Sequence, residues 1–345
     1  MSLPRSQRRI RLQSLMSERG LSAVVLRDHA NFAWYTGGAD SRVERAIREG
    51  TADLVVTAGG AEHVVTNTIE AERLRTEQVN GFEVLESPWY EDHDLALREI
   101  VGDQAVGADF DLAGAAPIAS DVARLRRVLD PDAIVRLRAV GADAAAALAE
   151  AAGAVSPGVT ERELAGVLAG ACHERGLDPT VLLAAADERI TRWRHPLPHD
   201  GHVERRAMLV ISAARGGLYA NVTRIVELEE PDAELARRKA ACDEILRRMR
   251  EQATRPGQTL AAAFESCCRF YEDAGYPGEW SRHHQGGMTG YASREVIATP
   301  QTLDAVEAGQ AFAWNPSIAG AKAEETFVLT ENGPEVIAGA GSLVA

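Results

Sequence analysis

The stretch Arg282-His283-His284-Gln285-Gly286-Gly287-Met288-Thr289-Gly290-Tyr291, followed by Arg294-Glu295, has the residue types of a small-molecule site. Imidazole titrates near neutral pH, so two adjacent histidines can take up and return protons, and Gln285 adds an amide that both donates and accepts. The glycines would let backbone approach a ligand closely. Tyr291, and Trp314 further on, offer aromatic surface that suits either a planar substrate portion or a core. Near the N-terminus, Asn31-Phe32-Ala33-Trp34-Tyr35-Thr36-Gly37-Gly38 leads to Asp40, Ser41 and Arg42. It reads as a turn with aromatic core residues, or as a loop that lends Arg42 to a site.

The rest of the chain limits what such a site can serve. A net charge of −14 repels nucleic acid and anionic lipid, so polyanionic partners are not expected. Residues Met1 to Met16 are basic but lack an apolar stretch of signal-peptide length, and no run of about 18 apolar residues occurs. The expectation is a cytoplasmic protein acting on a small molecule, away from membranes. The cysteines, Cys172, Cys242, Cys267 and Cys268, lack the spacing of metal ligands and read as reduced thiols packed in helices.

At 345 residues the chain is long for one core, so two domains are expected, 1–132 and 133–345. In the first, residues 5 to 20 have helical spacing and stop at Gly20. The β-branched runs Ala23 to Leu26, Leu54 to Thr57 and His63 to Thr66 read as strands. Helical segments near Glu70 to Glu77, Leu95 to Val101 and Asp121 to Leu129 complete an α/β domain.

The second domain contains a duplication. Pro157-Gly158-Val159-Thr160 opens a helix that closes at Gly176, and Pro256-Gly257-Gln258-Thr259 opens one that closes at Gly275. A long helix precedes each, Ile134 to Ala154 and Ala233 to Thr254, and the threonines suit N-capping. Strands continue the repeat, with Met208 to Ser212 matching Ala311 to Asn315, and Asn221-Val222-Thr223 matching Glu324-Glu325-Thr326. A helix-turn-helix-strand unit repeated once predicts an α+β domain with an internal pseudo-two-fold axis.

In this order and spacing, these landmarks resemble the pita-bread family of creatinase, aminopeptidase P, prolidase and methionine aminopeptidase over essentially the whole chain. The landmarks include the Pro-Gly-Val-Thr-Glu-Arg-Glu helix start, Asn221-Val222-Thr223-Arg224, and Glu324 to Gly333. The resemblance implies an N-terminal domain like that of creatinase. It also implies a homodimer.

Peptidases of that family hold two divalent metals with two aspartates, one histidine and two glutamates. Carried over, those positions fall on Ser212, Asn221, His283 or His284, Asn315 and Glu324. Of the carboxylate positions only Glu324 remains acidic. Bridging carboxylates offset the repulsion between paired cations, and serine and amides cannot, so no metal or other cofactor is expected. Creatinase is the family's metal-free catalytic precedent, and its proton-shuttling histidine matches His195, in Arg194-His195-Pro196. Counting back from Arg294-Glu295 selects His283 as its second histidine, whereas the His-x-x-Gly pattern fits either member of the pair. The second creatinase glutamate falls on Thr223, which argues against creatine itself.

The resemblance therefore implies a metal-independent hydrolase cleaving a carbon–nitrogen bond of a small amide or amino-acid-derived substrate. His195 would be the general acid/base, assisted by His283, His284 and Glu324. Ser212, Asn221, Arg224, Gln285, Tyr291, Asn315 and Arg42 would bind substrate. The alternatives are a non-catalytic binding module, as in the histone-chaperone subunit of the FACT complex, a metal-dependent Xaa-Pro peptidase-like enzyme with an atypical site, and a lyase or isomerase using the same groups.

Overall fold

A computed structural model describes residues 3–102 and 104–339. The chain separates into two compact units, Met1–Arg127 and Val128–Ala345. The division precedes the expected boundary at 132 because the next helix begins early. Asp130 caps it by accepting from the Ala133 N–H, Pro131 supplies a preset first turn, and the Leu129 N–H is already bonded to Gly309 O within the second unit.

The first unit runs α1 (Leu3–Arg19), β1 (Ala23–Asp28), α2 (His29–Thr36), β2 (Glu49–Thr57), β3 (Glu62–Asn67), α3 (Ala71–Arg73), β4 (Glu83–Ser87), α4 (His93–Val101), β5 (Val106–Ala108), β6 (Ala116–Pro117) and α5 (Ala119–Arg126). Its strands form one mixed sheet in the order β4-β3-β2-β1-β5-β6. Alternation places Val25, Val55 and Val65 on one face with Leu97 and Val101 of α4. The segment expected to be a turn or loop near Asn31 is instead α2. The Asp28 side chain accepts from the Ala30 N–H, and Gly37 ends the helix at φ 86° with its N–H on Ala33 O. Phe32, Trp34 and Tyr35 are buried. The signal was hidden because the capping aspartate is also the last residue of a strand.

The second unit runs α6 (Pro131–Gly153), α7 (Glu161–Glu174), β7 (Asp178–Ala186), α8 (Glu188–Arg192), β8 (Arg206–Arg215), β9 (Leu218–Glu227), α9 (Ala233–Arg248), α10 (Leu260–Asp273), β10 (Gly286–Thr289), β11 (Val296–Ile297), β12 (Ala311–Trp314), β13 (Ser317–Ile318), β14 (Ala321–Lys322), β15 (Glu325–Thr330) and β16 (Gly333–Ala338). Thr160 caps α7 in a reciprocal box with Glu163, and Thr259 caps α10. The halves repeat down to single bonds. Gly158 N–H reaches Val203 O as Gly257 N–H reaches Val306 O, and Thr160 bridges His202 as Thr259 bridges Ala305.

The halves contribute the sheets β7-β8-β9 and β11-β10-β12-β15-β16. They meet where Thr223 bridges Glu324, and where the Asn221 N–H donates to Thr326 Oγ1 while that hydroxyl donates back to Asn221 O. Residues at matching places in the repeat are thereby brought to one centre. Under it lies a core that includes Phe312, Phe327 and Trp314, whose indole N–H donates to Thr254 Oγ1 at 2.9 Å. Trp314 is thus core.

Candidate active site

A cavity of about 300 Å³ opens at this centre. One side is apolar, from Val181 and Leu183 of β7 and Val210 of β8, which strand pairing puts on one face of the sheet. Ser212 and Asn221 continue the same face of that sheet, and Asn315, Glu324, His195, His284, Ser293, Arg294 and Lys322 complete the lining. Strand pairing explains the first two, since Ser212 and Asn221 are direct cross-strand partners in the β8–β9 hairpin. His195 follows α8, and its neighbour Arg194 forms an ion pair with Glu279, just ahead of the histidine pair. That pair holds two distant segments together.

The imidazoles form a cluster. His195 Nε2 lies 2.9 Å from His283 Nε2, so one donates and the other accepts, and the His283 and His284 rings stack at 4.5 Å between centroids. His284 lines the cavity, whereas His283 stands behind it, buried. Burial, then the charge of Lys322, pushes His283 down to about 2. Burial, then Arg294, pushes His284 down to about 4, and burial followed by Lys322 lowers His195 from its usual value. All three are held neutral. Neutral imidazole is the form that accepts a proton.

Glu324 is buried and ionised. Arg294 Nη2 donates to its Oε1 at 2.9 Å, Thr223 Oγ1 donates to its Oε2 at 2.7 Å, and Lys322 Nζ stands 3.3 Å from Oε2. Burial alone would raise this carboxyl; Lys322 and Arg294 outweigh it and hold it at about 2. Lys322 reaches the site from the short β13–β14 hairpin.

The five positions that the resemblance assigns to a two-metal centre do not fit one. Ser212 Oγ donates to Ser293 Oγ at 2.9 Å, Ser293 donates to Asn221 Oδ1 at 3.0 Å, and Asn221 Nδ2 donates to Thr289 Oγ1 at 3.3 Å. This neutral chain satisfies itself without an ion. The one carboxylate present is already bonded to two cations, and a divalent metal beside it would meet both. Ligand nitrogens of His195, His283 and His284 lie within 4.8 Å of one another, but the same two cations reach the cavity that His195 and His284 line.

Several expected site residues lie elsewhere. Gln285 is buried, with its amide donating to Trp280 O and His283 O and accepting from Tyr271 OH at 2.8 Å, so it orients the backbone beneath the histidines. Tyr291 is buried and accepts from Arg136 Nη2 at 2.8 Å. Arg224 does not line this cavity but a neighbouring one of about 420 Å³, which shares Lys322 and Glu324 with it. Arg42 belongs to the first unit, bonded to Asp40. Gly286 and Gly287 serve strand packing and not a ligand: at φ +102° and +150°, a Cβ would meet Ala313 O at 2.1 Å and Val296 O at 2.2 Å. Sequence reasoning missed Lys322 and Ser293. The Lys322-Ala323-Glu324 spacing, which places positions two apart on one side of an extended chain, was the available signal for the lysine.

Models of two families match the chain: metallopeptidase family M24 over residues 135–331, and the creatinase/prolidase N-terminal domain over residues 8–140. No curated protein matches. Among solved structures, the chain is similar to dipeptidase PepE from Mycobacterium ulcerans, with 22% identity, a TM-score of 0.78, and coverage of 97% of this chain and 95% of that one. The prolidase from Pyrococcus horikoshii is similar at 16% identity and TM-score 0.82, covering 96% and 97%. So is the N-terminal domain of a FACT complex subunit from Cicer arietinum, at 13% identity and TM-score 0.72, covering 99% and 98%. With an M24 match over more than half its length, preceded by a creatinase/prolidase N-terminal domain, this chain belongs to metallopeptidase family M24 and has its pita-bread fold.

Proposed function

We propose that the chain is a hydrolase that cleaves a carbon–nitrogen bond of a small amide or amino-acid-derived molecule by histidine acid/base chemistry, without metal. The observation that carries this reading is the hydrogen-bonded His195–His283 pair beside His284 and a buried Glu324, in a cavity whose other family ligand positions are neutral. His195 takes a proton from water as its oxygen attacks the carbonyl carbon. The same proton then passes to the departing nitrogen as the carbon–nitrogen bond breaks, which returns the imidazole to its neutral state. His283 holds His195 in orientation through the 2.9 Å contact, and Asn315 and Glu324 position the substrate.

Turnover of a panel of small amides and ureas by metal-stripped protein, with His195→Ala alongside, tests the reading. Activity that survives chelation and is lost in His195→Ala supports it. Activity that appears only with added divalent metal would establish the atypical peptidase instead. A two-fold homodimer and a cytoplasmic setting belong to the same reading, the latter supported by Cys172, Cys242 and Cys267 being free and buried. No helix of the described residues is long and apolar enough to cross a membrane.

A non-catalytic binding role is the second reading, favoured by the likeness to the FACT subunit domain. Against it stands a cavity lined by neutral imidazoles with polar atoms left open, which a surface-binding module does not need.

A further inference from the structure

His195 stands in the loop that joins α8 to β8, where residues 194–196 make no backbone hydrogen bond among the described residues. The loop is anchored on either side of them: the Trp193 N–H donates to Arg189 O, and Arg189 Nη2 donates to Leu197 O at 2.8 Å. What aims the His195 ring is therefore side-chain contact, namely its 2.9 Å approach to His283 and the ion pair made by the residue before it. In that pair Arg194 Nη2 donates to Glu279 Oε2, with the two side chains 18% and 23% exposed. Glu279 opens a short 3-10 turn, Glu279–Arg282, directly ahead of His283. Its Oε2 also accepts from the Ala319 N–H at 3.2 Å, at the turn of the β13–β14 hairpin that carries Lys322. Its Oε1 lies 3.6 Å from Nε of the exposed Arg282, a looser contact. Arg194 and Arg282 immediately precede the two histidines whose ring nitrogens meet, so one carboxylate grips the chain beside both imidazoles.

We propose that Glu279 is a positioning residue, which through Arg194 holds the His195 imidazole against His283 in the orientation from which His195 works as acid and base. This deepens the hydrolase reading above and rests on it. Glu279 is not part of the cavity lining, so it acts through Arg194 and not on a substrate. A guanidinium–carboxylate pair fixes direction as well as distance, which a loop without backbone bonds of its own requires. The charges that act on His195 are those of Lys322, Glu324 and Arg294, with the neutral rings of His283 and His284 beside it. Glu279 is not one of these charges, so its removal reaches His195 by movement of the loop and not through its field.

Nitrogen-15 NMR of the imidazoles against pH, together with steady-state kinetics on whichever amide is turned over, compares the full chain with Glu279→Ala, Arg194→Met and Arg194→Lys. In Glu279→Ala and Arg194→Met the hydrogen bond between the His195 and His283 rings should be lost, and the His195 midpoint should rise towards 6.5. Their kcat should fall by about 10- to 100-fold while KM stays within about 3-fold, as for a misplaced reacting group. A residue that only stabilises the fold would lower the melting temperature and leave those readouts in place. Arg194→Lys, which keeps the charge, should recover part of kcat, and the double variant Glu279→Ala, Arg194→Met should lose no more than either single one. Unmoved His195 signals in folded Glu279→Ala, or losses that multiply in the double variant, would each overturn the proposal. Should Glu279→Ala not fold, Glu279→Gln and the Arg194 variants carry the same comparison. The two proposals fail separately. If His195 moves in these variants but no amide is turned over by the full chain, the hydrolase falls and the positioning role stands, while His195-dependent turnover at the parent rate in Glu279→Ala does the reverse.

Discussion

Two buried polar clusters, one in each unit, are built from the same residue types to opposite ends. In the first unit Asp53, fully buried on β2, accepts from Arg27 Nε at 2.8 Å and Nη2 at 2.9 Å, and contacts His93 Nε2 at 2.7 Å. Arg27 continues to Asp94 at 2.6 Å and lies 3.6 Å over the Phe110 ring. Both carboxylate oxygens are used. In the second unit Glu324 is equally buried, yet its surroundings keep a surplus cation, and Asn315 Oδ1, Arg294 Nε, His283 Nδ1 and His284 Nδ1 are buried with no hydrogen-bond partner. Leaving such groups open costs stability, and the Asp53 cluster closes its bonds. The second leaves them open, which supports the proposed substrate site.

The contrast can be broken by substitution. The largest effect is expected from His195→Ala, which should lower kcat by about 100- to 10,000-fold on whichever amide is turned over, the range of general acid–base catalysis. Its melting temperature should stay close to the parent's, because the exposed His195 contributes little packing. Asp53→Ala should do the reverse, destabilising by about 3–5 kcal/mol in chemical denaturation because Arg27 is left buried and underpaired, while activity per folded molecule persists. If Asp53→Ala instead abolishes activity in folded protein, the division of labour between the clusters is wrong.

Acid titration sharpens the same point. The unfolded imidazole protonates near 6.5, whereas folded His283 and His284 are held down to about 2 and about 4. Below 6.5 the unfolded state therefore binds more protons, so this contribution to stability is complete above that value and declines as pH falls towards 4 for His284 and 2 for His283. His283→Asn should flatten the decline between pH 6 and 4 by about 1.4 kcal/mol per pH unit in denaturant midpoints followed against pH. A wild-type stability that is level across that window would remove the neutral-imidazole description. The acid limb of kcat/KM should likewise lie below 6.5, since His195 is also lowered.

The smallest effect concerns the open acceptor. Asn315→Leu replaces a buried, unpartnered carbonyl by hydrocarbon of similar size and should raise stability by about 1 kcal/mol while weakening substrate binding, read as a higher KM with melting followed in parallel. Loss of stability there would mean that Asn315 is a structural residue.

What the sequence determined by itself was local or repetitive. Threonine caps followed by closing glycines mark α7 and α10 because capping is decided within a few residues, and the repeat fixed which strands correspond. The loss of carboxylates at Ser212, Asn221 and Asn315 was also legible, since charge is a property of residue type and needs no coordinates. Only the tertiary structure decided which side chains share the cavity. His284 faces it and His283 supports His195, a choice made by one step of an extended backbone, and Arg224 leaves it because β9 turns alternate residues to opposite faces. Gln285 was claimed by Tyr271 and Tyr291 by the distant Arg136, and Lys322 entered from a short hairpin whose only local mark is its spacing two residues before Glu324. Side-chain direction at strand ends depends on register and on what packs behind it, and neither is written in local spacing.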